Sequence, residues 1–69
     1  MNKWTYCAVE WIWNENHIRV TMPSGQETAY QGSYVQVVQI LATLGGDGWE
    51  VVSCAAAGNW LFWTLKRPA

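Results

Sequence analysis

The amino-acid sequence predicts an α+β fold, a two-layer sandwich in which one helix covers a four-stranded antiparallel sheet in the order β-β-α-β-β. Three observations lead there. Apolar residues recur with a period of two toward both ends of the chain, the mark of half-buried strands. A single stretch between them has helical spacing and begins with a capping signal at Ser33. Short polar or glycine-containing breaks separate the strand-like stretches, as tight antiparallel turns require. One helix laid over one side of such a sheet is the natural packing.

Lys3 to Trp13 (KWTYCAVEWIW) is rich in aromatic and β-branched residues and holds no Gly or Pro, so it reads as a long strand. Asn14-Glu15-Asn16 interrupts it with turn formers. From His17 to Met22, Ile18, Val20 and Met22 alternate with His17, Arg19 and Thr21. That pattern and the short gap before it give an antiparallel hairpin. Pro23-Ser24-Gly25 ends the second strand, and Gln26 to Gly32 reads as loop or a short edge extension.

Ser33 and Gln36 form an S-x-x-Q capping box, in which each side chain satisfies an orphan backbone donor. Tyr34, Val37, Val38, Leu41 and Leu44 follow at i, i+3, i+4, i+7 and i+10, one apolar stripe, with Gln36, Gln39 and Thr43 largely opposite. Gly45-Gly46 is expected to stop the helix and Gly48 to allow a second sharp turn. Trp49 to Ala57 and Trp60 to Arg67 read as a closing hairpin with Gly58-Asn59 at its turn.

Sixty-nine residues allow one domain, 1–69. Only 13% of them are charged while 51% are hydrophobic, and the net charge is -1. Disorder needs the reverse balance. With 4 basic and 5 acidic residues, no basic excess exists to neutralise phosphates, so nucleic acid is not the expected partner. No apolar run approaches the ~18 residues of a membrane span. Met1-Asn2-Lys3-Trp4 lacks the layout of a signal peptide, and a cytoplasmic location is expected.

Size sharpens the reading. Burial on folding is worth on the order of 100 kcal/mol for a chain of this mass, and ordering it costs about the same. A supplement to the core is therefore expected. Cys7 and Cys54 allow one disulfide, although two cysteines in an intracellular chain are more often free thiols. No C-x-x-C or Cys/His cluster points to a metal, and no cofactor is expected. Oligomerisation is left.

The strand patterns agree. Trp4, Tyr6, Ala8 and Ile12 point one way in the first strand, and Cys7, Val9, Trp11 and Trp13 the other. In the last strand Leu61, Trp63 and Leu65 oppose Trp60 and Phe62, and in the third Val51 opposes Val52 and Cys54. One helix covers one side only, so an apolar second side marks an interaction surface. The expected partner is the chain itself, most simply in a dimer. Trp11, Trp13, Trp60, Phe62, Cys54 and Val52 are the candidate interface or ligand residues. The competing expectation is that strand twist, the 26–32 segment and the chain ends cover this face within one molecule.

The stretch Leu44-Gly45-Gly46-Asp47-Gly48-Trp49-Glu50-Val51-Val52-Ser53 resembles the L-x-x-x-G-W-E-L-V-S signature of small bacterial and phage domains, domain of unknown function family 4177. The aromatic strand Lys3-Trp4-Thr5-Tyr6, the preceding helix and the closing Leu65-Lys66-Arg67 fit the same likeness. The resemblance implies the fold and carries no activity. The sequence departs from the family pattern in the extra strand at 17–22 and in Ala55-Ala56-Ala57. Physically, Gly46 and Gly48 supply backbone angles that glycine reaches cheaply. Trp49 is expected to pack beside the helix end, and Glu50 to pair with Lys66 or Arg67.

Catalytic chemistry finds little support. His17 is the single histidine, on a solvent-facing strand position, and both cysteines lie in apolar strands where a thiolate is disfavoured. No catalytic residue is expected and the chain reads as non-enzymatic. Glu10, between Val9 and Trp11, is either the guard of a sheet edge or a ligand-binding acid. Gly45-Gly46-Asp47-Gly48 follows a helix and leads into a strand, the reverse of a phosphate-cradling loop. The favoured reading is a homo-oligomeric protein-association module, an accessory subunit of a larger assembly being one form of it. The alternative is a protein that binds a small molecule, a nucleotide or single-stranded nucleic acid at a tryptophan-lined subunit boundary.

Overall fold

The aromatic N-terminal segment takes the centre of the sheet. A computed structural model describes residues 3–69; Met1 and Asn2, which entered the signal-peptide reading, lie outside the described residues. The elements are β1 (Trp4–Ile12), β2 (His17–Thr21), β3 (Glu27–Gln31), α1 (Tyr34–Gly46), β4 (Glu50–Ala57) and β5 (Trp60–Pro68). All strand pairings are antiparallel, in the order β3-β2-β1-β5-β4.

The predicted four-stranded sheet is corrected to five strands, in the order β-β-β-α-β-β. The added strand is β3, in the stretch read as loop or a short edge extension, and it is an edge strand. Its sequence, Glu-Thr-Ala-Tyr-Gln, is mostly exposed and lacks an apolar alternation. Backbone pairing with β2, from Thr21↔Glu27 to His17↔Gln31, holds it in place. Pro23-Ser24-Gly25 is thus part of a hairpin turn, closed by Met22 N–H donating to Gln26 O and Gly25 N–H to Met22 O. Gly25 takes φ +90° there.

One side of the sheet packs under α1. Cys7 and Val9 of β1, Ile18 and Val20 of β2, and Trp63 and Leu65 of β5 are buried with Val37 and Leu44 of the helix and with Trp49. Their registers agree, since Val9 lies between Val20 and Trp63, and Cys7 opposite Leu65. The helix covers the middle of the sheet only. Every residue of β4 is exposed, as are Tyr34, Val35 and Val38 on the helix.

The helix start follows its sequence signal. Gln36 Oε1 accepts from the Ser33 backbone N–H at 2.9 Å and from the Ser33 hydroxyl at 2.8 Å. Its end departs from expectation, because Gly45 and Gly46 lie inside the helix and Asp47 is the C-cap. Gly48 then adopts φ +92°. Gly48 N–H donates to Gly45 O and Trp49 N–H to Leu44 O, each at 3.0 Å. This is the Schellman arrangement, and the buried Trp49 and Leu44 supply the apolar contact that accompanies it.

The two glycines therefore differ, and substitution separates them. A Cβ at either position meets nothing within 4 Å, so only backbone preference counts. Gly48→Ala is expected to cost about 1–2 kcal/mol, the penalty of a left-handed conformation with a Cβ. Gly46→Ala is expected to stabilise by up to about 1 kcal/mol, because alanine is the better helix former. Urea unfolding followed by circular dichroism checks both; shifts of the same sign would contradict this cap geometry.

Candidate functional site

The side of the sheet turned away from α1 is built by strand alternation. Trp4, Tyr6, Ala8, Glu10 and Ile12 of β1 share it with the β5 residues opposite them, from Pro68 through Lys66, Thr64 and Phe62 to Trp60. β2 adds His17, Arg19 and Thr21, and β4 adds Ala55 and Ala57 beside Phe62 and Trp60. Trp60 and Phe62 pack on one another, with ring centroids 4.8 Å apart and planes inclined at 32°. Tyr6 is 53% exposed and Trp4 43%. Ile12, Trp60 and Phe62 are half-buried.

Two of the charges on this face neutralise one another. Glu10 and Arg19, opposite one another in register, form an ion pair with Arg19 Nη2 2.6 Å from Glu10 Oε2. The adjoining Arg19 Nε also donates to Glu10 at 2.6 Å. Hydrogen bonding to Glu10 and its charge raise the already high pKa of Arg19. Glu10 therefore guards no edge, because β1 is the central strand, and its carboxylate is committed to Arg19. Lys66 Nζ lies 4.0 Å from the centroid of the Trp4 ring, a cation–π contact.

The nominated residues divide between two sides. Trp60 and Phe62 lie on the open face. Trp11 does not: it is on the helix side, packed against the core and edge-on to Tyr34 at 5.7 Å. Its Nε1 is buried without a hydrogen-bond partner. Trp13 is exposed in the β1–β2 turn, where its backbone N–H donates to the Asn59 carbonyl. Cys54 lies opposite Trp63, on the helix side but beyond the helix, and is exposed. Val52 is the extra residue where the β4 register shifts between Val51 and Ser53. That bulge puts Val51 and Cys54 on one side, whereas strict alternation put them on opposite sides. Trp4, Tyr6 and Ile12, left off the nomination, belong to the face; the first strand's alternation carried that signal.

Around the helix end, Gly48 and Trp49 build the cap already described, and Gly46 is the last residue of the helix. Arg67 stacks over Trp49, its guanidinium carbon 4.4 Å from a ring centroid, while Nη1 donates to Asp47 O at 3.0 Å. Glu50 lies opposite Lys66 in register. The expected ion pair is absent, and Glu10–Arg19 is the one salt bridge among the described residues.

Both cysteines are free thiols, Cys7 buried and Cys54 exposed. Burial pushes the Cys7 thiol above its ordinary pKa of 9.0, with the Arg67 charge offsetting part of the shift. Cys7 is expected to resist thiol reagents in the native protein and to react once urea unfolds it, as mass spectrometry of labelled peptides would show. A raised folded pKa also means that stability present below pH 9 declines as pH rises further. Native labelling of Cys7 at the rate of a free thiol would contradict its placement.

A cleft of about 350 Å³ lies between α1 and β3, lined by Val20, Tyr30, Gln31, Gln36, Gln39, Ile40, Thr43 and Leu44. None of these is charged, and two of the amides serve the chain itself: Gln31 donates to Glu15 O and Gln36 caps the helix. Among the described residues no cluster of three or more His, Cys, Asp or Glu is placed to hold a metal ion. No helix among them is long and apolar enough to cross a membrane. No known protein family, no curated protein and no solved structure matches this chain.

Proposed function

We propose that the protein is a non-enzymatic, cytoplasmic self-association module whose open sheet face packs against the same face of a second copy. The observation that carries this reading is the aromatic and aliphatic group formed by Trp4, Tyr6, Ile12, Trp60 and Phe62, on the side of the sheet turned away from α1, the one helix among the described residues. Apolar groups of this kind gain by leaving water together.

Size supports a second copy as the cover. Strands of nine, five, five, eight and nine residues, spaced about 4.8 Å and rising about 3.3 Å per residue, give a face of roughly 600 Å². A standard interface buries ~800 Å² on each partner. Charge supports it as well, since Glu10 and Arg19 neutralise one another within the chain and a net charge of -1 repels a second copy only weakly. The protein reading is favoured over a planar ligand because Trp60 and Phe62 each turn one ring face toward the other, which leaves less aromatic face for a ligand to stack on. In a larger assembly such a module serves as an accessory subunit.

Sedimentation velocity at micromolar concentration tests the proposal. A mass that is a multiple of the 7.8 kDa chain is expected. A species of 7.8 kDa alone would overturn it.

A further inference from the structure

The two edges of the sheet are not alike. β3, at one edge, is five residues long and begins with Glu27; short strands and charges are the usual protection of a strand edge. β4, at the other, is eight residues long and carries no charge from Val51 to Ala57. Its one protective device, the bulge between Val51 and Ser53, lies near its start. From Ser53 to Ala57 the strand is regular, with only Ser, Cys and Ala side chains. Among the described residues its outer backbone groups have no strand partner, and its side chains are exposed on both sides of the sheet.

We infer that β4 is a second association site, at which Ser53–Ala57 pairs antiparallel with the same segment of another copy about a two-fold axis at Ala55. An unpaired strand edge calls for another strand, and the features of β4 make its own copy the occupant. Small side chains on both sides of the sheet let the strands approach without obstruction. In this register Cys54 lies opposite the partner's Ala56, and Ser53 opposite the partner's Ala57. Glu50, the nearest charge, lies outside the paired segment, beyond the end of the partner's β4 at Ala57, so like charges do not meet. Pairing β4 with β3 of another copy would instead propagate without closing, whereas the two-fold pairing closes on itself.

The inference rests on the self-association reading and extends it. An edge pair doubles the sheet, and two doubled sheets stacked through their open faces make a closed tetramer with two kinds of two-fold interface. Sedimentation of three forms separates them: the wild type, Phe62→Lys on the open face, and the double variant Cys54→Lys/Ala56→Lys. In the last, each new lysine faces a lysine of the partner, an arrangement that destabilises strand pairs. Both positions are exposed, and circular dichroism confirms folding. A tetramer for the wild type and a dimer for each variant is the expected result.

A second measurement is independent of the lysine substitutions. The Cys54 side chains of an edge pair lie diagonally on one face, their Cα atoms about 7–8 Å apart. A short bifunctional thiol cross-linker should join them in the wild type and in Phe62→Lys. A dimeric wild type, unchanged in mass by the double lysine variant and without the Cys54 cross-link, would overturn the edge site and leave the face-to-face dimer standing. Loss of association in the double variant with none in Phe62→Lys would overturn the face and keep the edge. A monomeric wild type would overturn both.

Discussion

Replacing Trp49 with alanine is expected to remove most of the fold's stability. The indole is buried at the point where the helix turns into β4. Its backbone N–H closes the helix cap on Leu44 O, and Arg67 covers the ring while reaching Asp47 O. One side chain thus joins the end of α1, the start of β4 and the end of β5. Truncating a buried tryptophan costs about 3–5 kcal/mol. A domain of this length holds only about 3–10 kcal/mol in all, at ~0.05–0.15 kcal/mol per residue. The urea midpoint of Trp49→Ala should fall to the lowest denaturant concentrations, or the chain should be unfolded without denaturant. Trp49→Phe, which keeps most of the apolar volume, should lose less. A Trp49→Ala midpoint equal to that of the wild type would contradict the role given to this residue.

Phe62→Lys is expected to break the face-to-face association while leaving the chain folded. Phe62 lies opposite Glu10 across β1 and β5, so a lysine there meets a carboxylate within its own chain, a tolerated cross-strand pair. Between copies the effect is unfavourable, because a two-fold interface receives each substitution twice and two ammonium groups would enter an apolar contact. Losing an anchor aromatic at the centre of an interface costs about 2 kcal/mol or more, roughly 30-fold or more in the dissociation constant. Light scattering across a dilution series reads this directly. An unchanged mass at every concentration, with an unchanged circular dichroism spectrum, would count against the face as the contact.

Patterns of side-chain burial made most of the fold legible. Alternation placed β1, β2 and β5 because each sends large apolar residues toward the helix. The capping box placed the start of α1 because Ser33 and Gln36 meet only in that geometry. β3 is legible only as loop or edge extension for the opposite reason: its place depends on backbone pairing with β2, and an edge strand with few buried side chains leaves little periodic trace. The helix end was misplaced at Gly45-Gly46 because glycine permits a helix to end without requiring it. The positive φ at Gly48 shows where the turn falls. Bulges are equally silent in a pattern of alternating residues, and the one in β4 changed which side Cys54 occupies.

The candidate site was legible in kind and mixed in membership. Trp60 and Phe62 follow from the alternation of β5. Trp11 was grouped with them although its own strand pattern set it beside Cys7 and Val9, the residues that pack beneath the helix. Tryptophan count alone points toward association and says nothing about which side of a sheet each ring takes.

Hydroxyl-radical footprinting of the native protein compares two tyrosines that are almost equally accessible within one chain, Tyr6 at 53% on the open face and Tyr34 at 57% on the helix. If the open faces of two copies cover one another, Tyr6 is protected at micromolar concentration and Tyr34 is oxidised, and dilution below the dissociation constant removes the difference. Equal oxidation of both residues at every concentration at which the protein is folded would contradict the account.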